Sequence, residues 1–521
     1  MTLRARRSDR SGSFSGHKAE RAIIDIGSNT VRMVVYGGSL RAPIVLLNEK
    51  VAARLGKEMS ETGKLPRDSV ELAMRGLRRF VLLLEDLGVD DVETVATAAV
   101  RDAKNGPDFI AEVEALGLAP RVISGEEEAC LSASGVLGAF PGAAGLVADL
   151  GGGSLELVRI SNGETDEASS LPLGTLRLPE YRADKLKDMK KQLSQALKKG
   201  GWGENIEAPL YLVGGTWRAM AVYAMQARDY PLTDPHGFTL DTGEANALAD
   251  ELAASDPDEL RSMPRISSMR GASMPDAAVL LQAILKKLSP TRLVFSSWGL
   301  REGLLYDRLE PHGKSQDPLL AGLIVFAAQR GAPPTLAARI AGWTAGAVPA
   351  SGPGSERLRL ASTMMALASM QVEPNIRLSH AVDWALHKRW ISLDARGRAM
   401  VGAAVAANGN HLDLPDNIRA LASEESLNEA ICWGLATRLA RRIGARSQRS
   451  LQVSRLSVAD DKLLLQLQES QTDLFGVPTE KDMKLLAGRL GLDPKVEFVP
   501  DGEFNASSME DDALLGISNL K

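Results

Sequence analysis

Residues 25–35, Asp-Ile-Gly-Ser-Asn-Thr-Val-Arg-Met-Val-Val, and residues 149–159, Asp-Leu-Gly-Gly-Gly-Ser-Leu-Glu-Leu-Val-Arg, are two versions of one pattern. Aligned, they pair Asp25 with Asp149, Gly27 with Gly151, Thr30 with Ser154, and Val31 and Met33 with Leu155 and Leu157. Each follows an apolar run (Ala22–Ile24, Leu146–Ala148) and leads into another, so each predicts a β-hairpin with a tight turn of Gly, Ser and Asn. A carboxylate that ends a strand, followed by a turn of free backbone N–H groups, sets a place for a metal beside a place for phosphate oxygens. Two copies predict two related lobes facing one phosphate chain, and with them phosphoanhydride chemistry.

The rest of the chain is consistent with an intracellular globular protein. Its 521 residues exceed one hydrophobic core and predict about two to four domains. With 44% hydrophobic and 24% charged residues it has an ordinary globular balance, and an aromatic fraction of 4% argues against a stacking platform for nucleic acid. A net charge of −5 means that a polyanion needs a local basic channel. Cys130 and Cys432 lack metal-ligand spacing and read as reduced thiols. The most apolar segment, Leu319–Ala328, is too short to span a bilayer, and the basic Ser/Gly-rich start has no apolar h-region. The expected location is the cytoplasm, with neither membrane nor nucleic acid as partner.

Strand and helix signals alternate through the first 310 residues, which predicts α/β lobes. Val92–Thr97, Arg121–Ile123, Pro209–Val213 and Arg292–Phe295 are expected strands; Pro107–Leu116, Asp184–Lys199 and Leu300–Leu309 are expected helices, with others starting at Glu126 and Trp217. The segment 310–318 reads as a linker, and 318–447 as helical. Leu451–Val458 and Lys462–Glu469 suggest a hairpin, followed by a helix over Glu480–Leu490 and a strand over Val496–Val499. The expected division is a disordered tail at 1–20, lobe I at 21–138, lobe II at 139–310, a helical domain at 318–447, a small α+β cap at 450–500 and an acidic tail at 501–521.

Asp25 and Asp149 are the first metal candidates; the plainer role for each is to organise its own turn. Gly27, Ser28, Asn29 and Thr30, with Gly151, Gly152, Gly153 and Ser154, are candidate phosphate loops, because glycine lets N–H groups approach oxygens closely. Gly214, Gly215 and Thr216 form a third such turn, at the start of a helix. Ser124-Gly-Glu-Glu-Glu-Ala opens a helix, where Ser124 and Glu127 suit a capping box. Glu128, on the less polar flank, is left as a candidate general base. Arg32 and Arg101 sit beside the loops, and their planar forks suit phosphate. The lysines of 185–199 read as a solvated face that could also guide a polyanion, and His380, Asp383 and His387 share a helix face at metal-binding spacing. No Gly-x-x-x-x-Gly-Lys-Ser/Thr loop or nucleophile elbow occurs.

Taken together, Asp25-Ile-Gly-Ser-Asn-Thr-Val-Arg, Ala96-Thr-Ala-x-x-Arg-x-Ala-x-Asn, Ile123-Ser-Gly-Glu-Glu-Glu-Ala, Asp149-Leu-Gly-Gly-Gly-Ser-Leu-Glu-Leu, Gly214-Gly-Thr and Gly299-Leu-Arg-Glu-Gly resemble, in order, the motifs of the exopolyphosphatase/guanosine pentaphosphate phosphohydrolase (Ppx/GppA) family. The resemblance spans about residues 21–309. It implies two actin-like lobes of the ribonuclease H-like, sugar kinase/Hsp70 superfamily, with the site in the cleft between them. It implies Glu128 as base, and places Asp25, Asp149 and Glu156 at positions associated with a metal (Mg²⁺ or another divalent cation) and the nucleophilic water. For 318–447 it implies an HD-like domain with a degraded metal motif, and it implies a homodimer.

The expected reaction is metal-dependent, processive hydrolysis of the terminal phosphate of inorganic polyphosphate, with orthophosphate released. Hydrolysis of guanosine pentaphosphate is the alternative on the same residues, and ADP or ATP could serve as phosphoryl acceptor. A third alternative, from another class, is a non-catalytic actin-like nucleotide sensor or scaffold.

Overall fold

The computed structural model describes residues 18–182, 186–349, 351–445 and 447–504. Most of both expected tails, and Lys185, lie outside the described residues. Two compact units divide the chain between Gly322 and Leu323.

The first unit holds two sheets. Strands β1 (Arg21–Ile26), β2 (Val31–Gly37), β3 (Ile44–Val51), β4 (Asp91–Ala96) and β5 (Pro120–Val122) stand in the order β3-β2-β1-β4-β5. Strands β6 (Gly145–Leu150), β7 (Leu155–Ser161), β8 (Glu164–Leu171), β9 (Leu210–Val213), β10 (Thr239–Asp241) and β11 (Arg292–Phe295) stand in the order β10-β11-β9-β6-β7-β8. From the β8 edge, the second sheet repeats the first through β11. In each, the first three strands form an antiparallel meander, the next pairs parallel with its first strand, and the one after pairs parallel with that. The twin motifs are therefore the first hairpins of two sheets of one topology, and β10 is an added edge.

Long helices cover the sheets. Arg67–Leu87 buries Ala73, Leu77, Phe80 and Leu84 at helical spacing, and Gly76 allows close approach, since a Cβ there would lie 2.5 Å from Val51. Its stop is Gly88 at φ 65°, the left-handed cap glycine adopts most readily.

A pair of helices, Gly125–Ala139 and Leu300–Asp307, stands between the two cores. Leu131, Leu304 and Leu305 pack with Ile23, Val34 and Val95 of the first sheet. Ala129, Ala133, Val136 and Leu137 pack with Val147, Val158, Tyr211 and Val294 of the second. The two helices touch backbone to backbone: a Cβ on Gly303 would lie 1.8 Å from the Leu131 carbonyl, and one on Gly135 2.3 Å from that of Gly299.

The second unit is mainly helical. Ala395–Asn408 and Glu424–Gly444 approach closely at Gly434, where a Cβ would lie 2.1 Å from the Ala404 carbonyl. Arg398, 2% exposed, donates to the carbonyls of Leu386 and Lys388 and so satisfies the end of Arg377–Leu386. In the same unit, β12 (Ser454–Ala459), β13 (Lys462–Gln468) and β14 (Asp493–Val499) form a sheet in which β12 runs antiparallel and β14 parallel to β13.

Two local expectations change. The 310–318 linker contains a helical turn, Pro311–Ser315, because a proline at the first position starts a helix readily. Leu451 belongs to the helical turn Gln448–Gln452, so the hairpin begins only at Ser454.

Candidate active site

The twin turns are built alike. Gly27 N–H donates to the Thr30 carbonyl at 3.0 Å, and Gly151 N–H to the Ser154 carbonyl at 3.0 Å. Returning chain then ties down the next carbonyl: Gly56 N–H donates to Ser28 and Leu176 N–H to Gly152, both at 2.9 Å. Neither turn's middle N–H groups, at Ser28, Asn29, Gly152 and Gly153, donate within the protein among the described residues. The carbonyls are occupied and the donors are available, the polarity that suits an anion.

Both turns line one cavity of about 340 Å³, with Asp25, Arg32, Glu128, Asp149, Glu156, Gly214, Gly215 and Thr216. Register places Arg32 opposite Asp25 and Glu156 opposite Asp149, so each hairpin presents its carboxylate beside a charged cross-strand neighbour. At Gly214 (φ 118°) a Cβ would come within 2.5 Å of the Leu150 carbonyl and 3.2 Å of Asp149 Oδ1, so this turn crosses the second hairpin only as glycine.

Glu128 occupies the first turn of Gly125–Ala139. Ser124 caps that helix by accepting from Glu127 N–H, while the Glu127 carboxylate pairs with Arg121, so only half of the expected capping box forms. The Glu128 side chain is 13% exposed and its Oε2 lies 3.4 Å from Arg101 Nη1. Arg101 also donates to the Ile123 carbonyl at 3.0 Å. It does not line the cavity and reaches it through Glu128.

Sequence reasoning missed seven further groups. Ser132, one helical turn beyond Glu128, donates to Asp149 Oδ2. Ser170 donates to Glu156 Oε1 at 2.9 Å. Arg301 Nη1 lies 3.3 Å from Asp25 Oδ2, and its neighbour Glu302 is fixed by Tyr36 Oη at 2.9 Å and Gly299 N–H at 3.1 Å. Lys50, Arg218 and Arg270 also line the cavity. Arg301 lies inside the quoted Gly299-Leu-Arg-Glu-Gly motif, and Ser132 follows Glu128 at i+4; those were the available signals. Lys50 had none, since only pairing of β3 with β2 brings it opposite Arg32.

The charges are crowded by kind. Burial, then Glu156 and Asp149, push the Glu128 carboxyl well above its ordinary value against the pull of Arg101. Burial and then Asp149 push Glu156 to about 8 against hydrogen bonds from Ser154 and Ser170. Asp25 and Asp149 are also raised by burial, the first opposed by Arg301 and the second by Ser132. Among the bases, burial and Arg301 bring Arg32 down to about 10, and burial, then Arg32 and Arg270, lower Lys50, whereas Arg301, against its burial, is raised by Glu302 and Asp25. Arg32 Nε, Arg301 Nε and Asn29 Oδ1 are buried without a hydrogen-bond partner among the described residues. Carboxylates that raise one another suit a cation and guanidinium groups that lower one another suit an anion, so the residues of this lining fit a metal–phosphate complex.

Among the described residues no group of three or more His, Cys, Asp or Glu side chains is arranged to hold a metal, which applies equally to His380, Asp383 and His387. A cation in the cleft would draw on one or two carboxylates and on ligand oxygens, the usual manner of Mg²⁺. Among the described residues, too, no helix is long and apolar enough to cross a membrane.

Comparison with known proteins places this architecture. Retrograde regulation protein 2 of Saccharomyces cerevisiae is 27% identical over 340 residues, 57% of each protein, so the chain spans little more than half of that relative's length. An exopolyphosphatase structure from Cytophaga hutchinsonii superposes with a TM-score of 0.50 at 24% identity, covering 55% of this chain and 96% of that one. The Aquifex aeolicus Ppx/GppA family member gives a TM-score of 0.49 at 26% identity, covering 55% and 96%. The fold is the actin-like, sugar-kinase-type α/β fold. The sequence pattern of the Ppx/GppA phosphatase family matches residues 34–312, more than half of the chain, and the protein is a member of that family.

Proposed function

We propose that this protein is an exopolyphosphatase, which removes the terminal phosphate of inorganic polyphosphate by water. The observation that supports it is the charge gathered in one cleft: Glu128 with Asp25, Asp149 and Glu156, and among them Arg32, Lys50, Arg218, Arg270 and Arg301, the last 3.3 Å from Asp25. The N–H groups of the two hairpin turns and of the turn at Gly214–Thr216 bind the terminal phosphoryl oxygens, with Thr30 and Ser154 beside them. Arg32, Lys50 and Arg270 hold the adjoining phosphates.

Glu128 orients the attacking water and accepts its proton, while Arg101 positions that carboxylate. Most of the rate arises from positioning and electrostatics, as in other phosphoryl transfers. Asp25 and Asp149 would hold Mg²⁺, which when bound neutralises charge on the transferring phosphate.

The test is phosphate release from long-chain polyphosphate and from guanosine pentaphosphate, with Mg²⁺ or EDTA, by the full chain and by Glu128→Gln. Metal-dependent release from polyphosphate that Glu128→Gln abolishes supports the proposal. Release from the nucleotide alone moves the substrate to guanosine pentaphosphate. Silence on both, with nucleotide bound, makes the cleft a sensor.

A further inference from the structure

The second unit contains another cavity of about 340 Å³, between the ends of Arg377–Leu386 and Ala395–Asn408 and one face of Glu424–Gly444. Among the described residues its walls carry Arg377, Arg438, Arg441 and Arg442 and no carboxylate. Asp482, behind the wall, takes Arg438 Nε at 2.7 Å and Arg442 Nε at 2.8 Å, so a single negative charge is shared by two arginines. Among the described residues, Arg441 reaches only the neutral Asn408 Oδ1, at 2.8 Å, and Arg377 only the backbone carbonyls of Val372 and Met370. Four positive charges therefore meet one negative charge.

A structural role accounts for part of this. Arg438 Nη1 donates to the Asn408 carbonyl and completes a helix end, and Asp482 joins two helices. It does not account for Arg441. This guanidinium is brought down to about 10 by burial and then by Arg377, Arg438 and Arg442, with Asp482 opposing. A helix that needed only packing would place an apolar side chain there at lower electrostatic cost. Arg438, Arg441 and Arg442 share one helix, and Arg377 closes the group from another; each spends one or two of its five N–H donors on the bonds named. The rim is polar and open, with Pro374 and His411 exposed.

We propose that this arginine-walled cavity is a second anion site, separate from the cleft, and that it takes a compact, multiply charged phosphate anion of the triphosphate type. Planar forks from two helices suit phosphate oxygens, and the excess of three positive charges suits a polyanion over a monoanion. The site acts by binding alone: His411 stands at the exposed rim, and the charged groups that face the cavity are all guanidinium. It does not depend on the substrate assigned to the cleft.

The experiment is equilibrium binding to the full-length Glu128→Gln protein, which blocks turnover, with inorganic triphosphate, ATP and sulfate as probes. Two classes of triphosphate site are expected, one of them at least ~10-fold weaker in Arg377→Gln/Arg441→Gln, the scale of losing charge-assisted bonds. ATP that fills this class as well as triphosphate assigns it to nucleotides, and triphosphate alone to inorganic chains. Because the double variant could misfold, phenylglyoxal labelling of the four arginines is mapped in the parent with and without triphosphate. Unprotected arginines, no triphosphate site weakened in Arg377→Gln/Arg441→Gln, or sulfate binding as tightly as triphosphate would each overturn the proposal. Loss of the cleft class alone would count against the cleft assignment and leave this one intact.

Discussion

Glu128 and Ser132 stand one turn apart on the same face of one helix, the first against Arg101 and the second against Asp149. One rigid element thus sets the spacing between the proposed base and the carboxylate that closes the second hairpin's first strand.

Replacing Glu128 with Gln keeps the shape of the site and removes the proton acceptor. Turnover is expected to fall at least ~10²-fold with substrate binding retained, the usual scale for a general base. Single-turnover phosphate release beside a binding isotherm checks it. Since burial raises the Glu128 pKa, the parent's rate should climb with pH until that carboxyl is ionised, and the rise should vanish in the variant.

Ser132→Ala leaves the base untouched and frees Asp149 to rotate. The expected result is a roughly 10- to 100-fold higher Mg²⁺ requirement, the range for removing an outer partner of a metal-bound carboxylate, with saturated turnover changed much less. A Mg²⁺ titration of activity separates the two. An unchanged requirement would remove Asp149 from the proposed metal site.

Glu156 makes a prediction about stability. Its folded pKa of about 8 lies above the ordinary 4.5, so folding favours the protonated form. Its contribution is complete below the ordinary value and is lost as pH rises toward 8. Without metal, Glu156→Gln should match the parent near pH 4.5 and exceed it near pH 8, by on the order of 2 kcal/mol. Urea denaturation at the two pH values reads it.

Two glycine substitutions should have opposite effects. Gly303→Ala drives a methyl into the Leu131 carbonyl and should cost about 3 kcal/mol or more. Gly342→Ala, in the helix Pro334–Ala345 with nothing nearby, should gain roughly 0.5–1 kcal/mol. Chemical denaturation curves for both variants provide the check.

The twin hairpins were legible because every residue that makes them lies within eleven positions, and glycine beside aspartate has few other uses. Arg301 and Ser132 were half legible, close to motifs already in view. Arg270 and Lys50 were not, since only tertiary packing brings a helix of one lobe to a strand of the other. Ser268–Leu288 escaped notice for a different reason. It is buried nearly all round from Met274 to Leu285 and carries Pro275, so it shows neither an amphipathic stripe nor an uninterrupted helical composition.

The backbone-to-backbone seam between Gly125–Ala139 and Leu300–Asp307 has a mechanical consequence. With Gly303 against Leu131 and Gly135 against Gly299, there is no side-chain layer along which the helices could slide. Glu128 and Arg301 ride on opposite members of this strut and so keep their mutual distance whatever the sheets do. On the proposed polyphosphate activity, widening of the cleft to admit a long polymer would come from bending in the connections to the sheets, with the reacting end held at a fixed gauge.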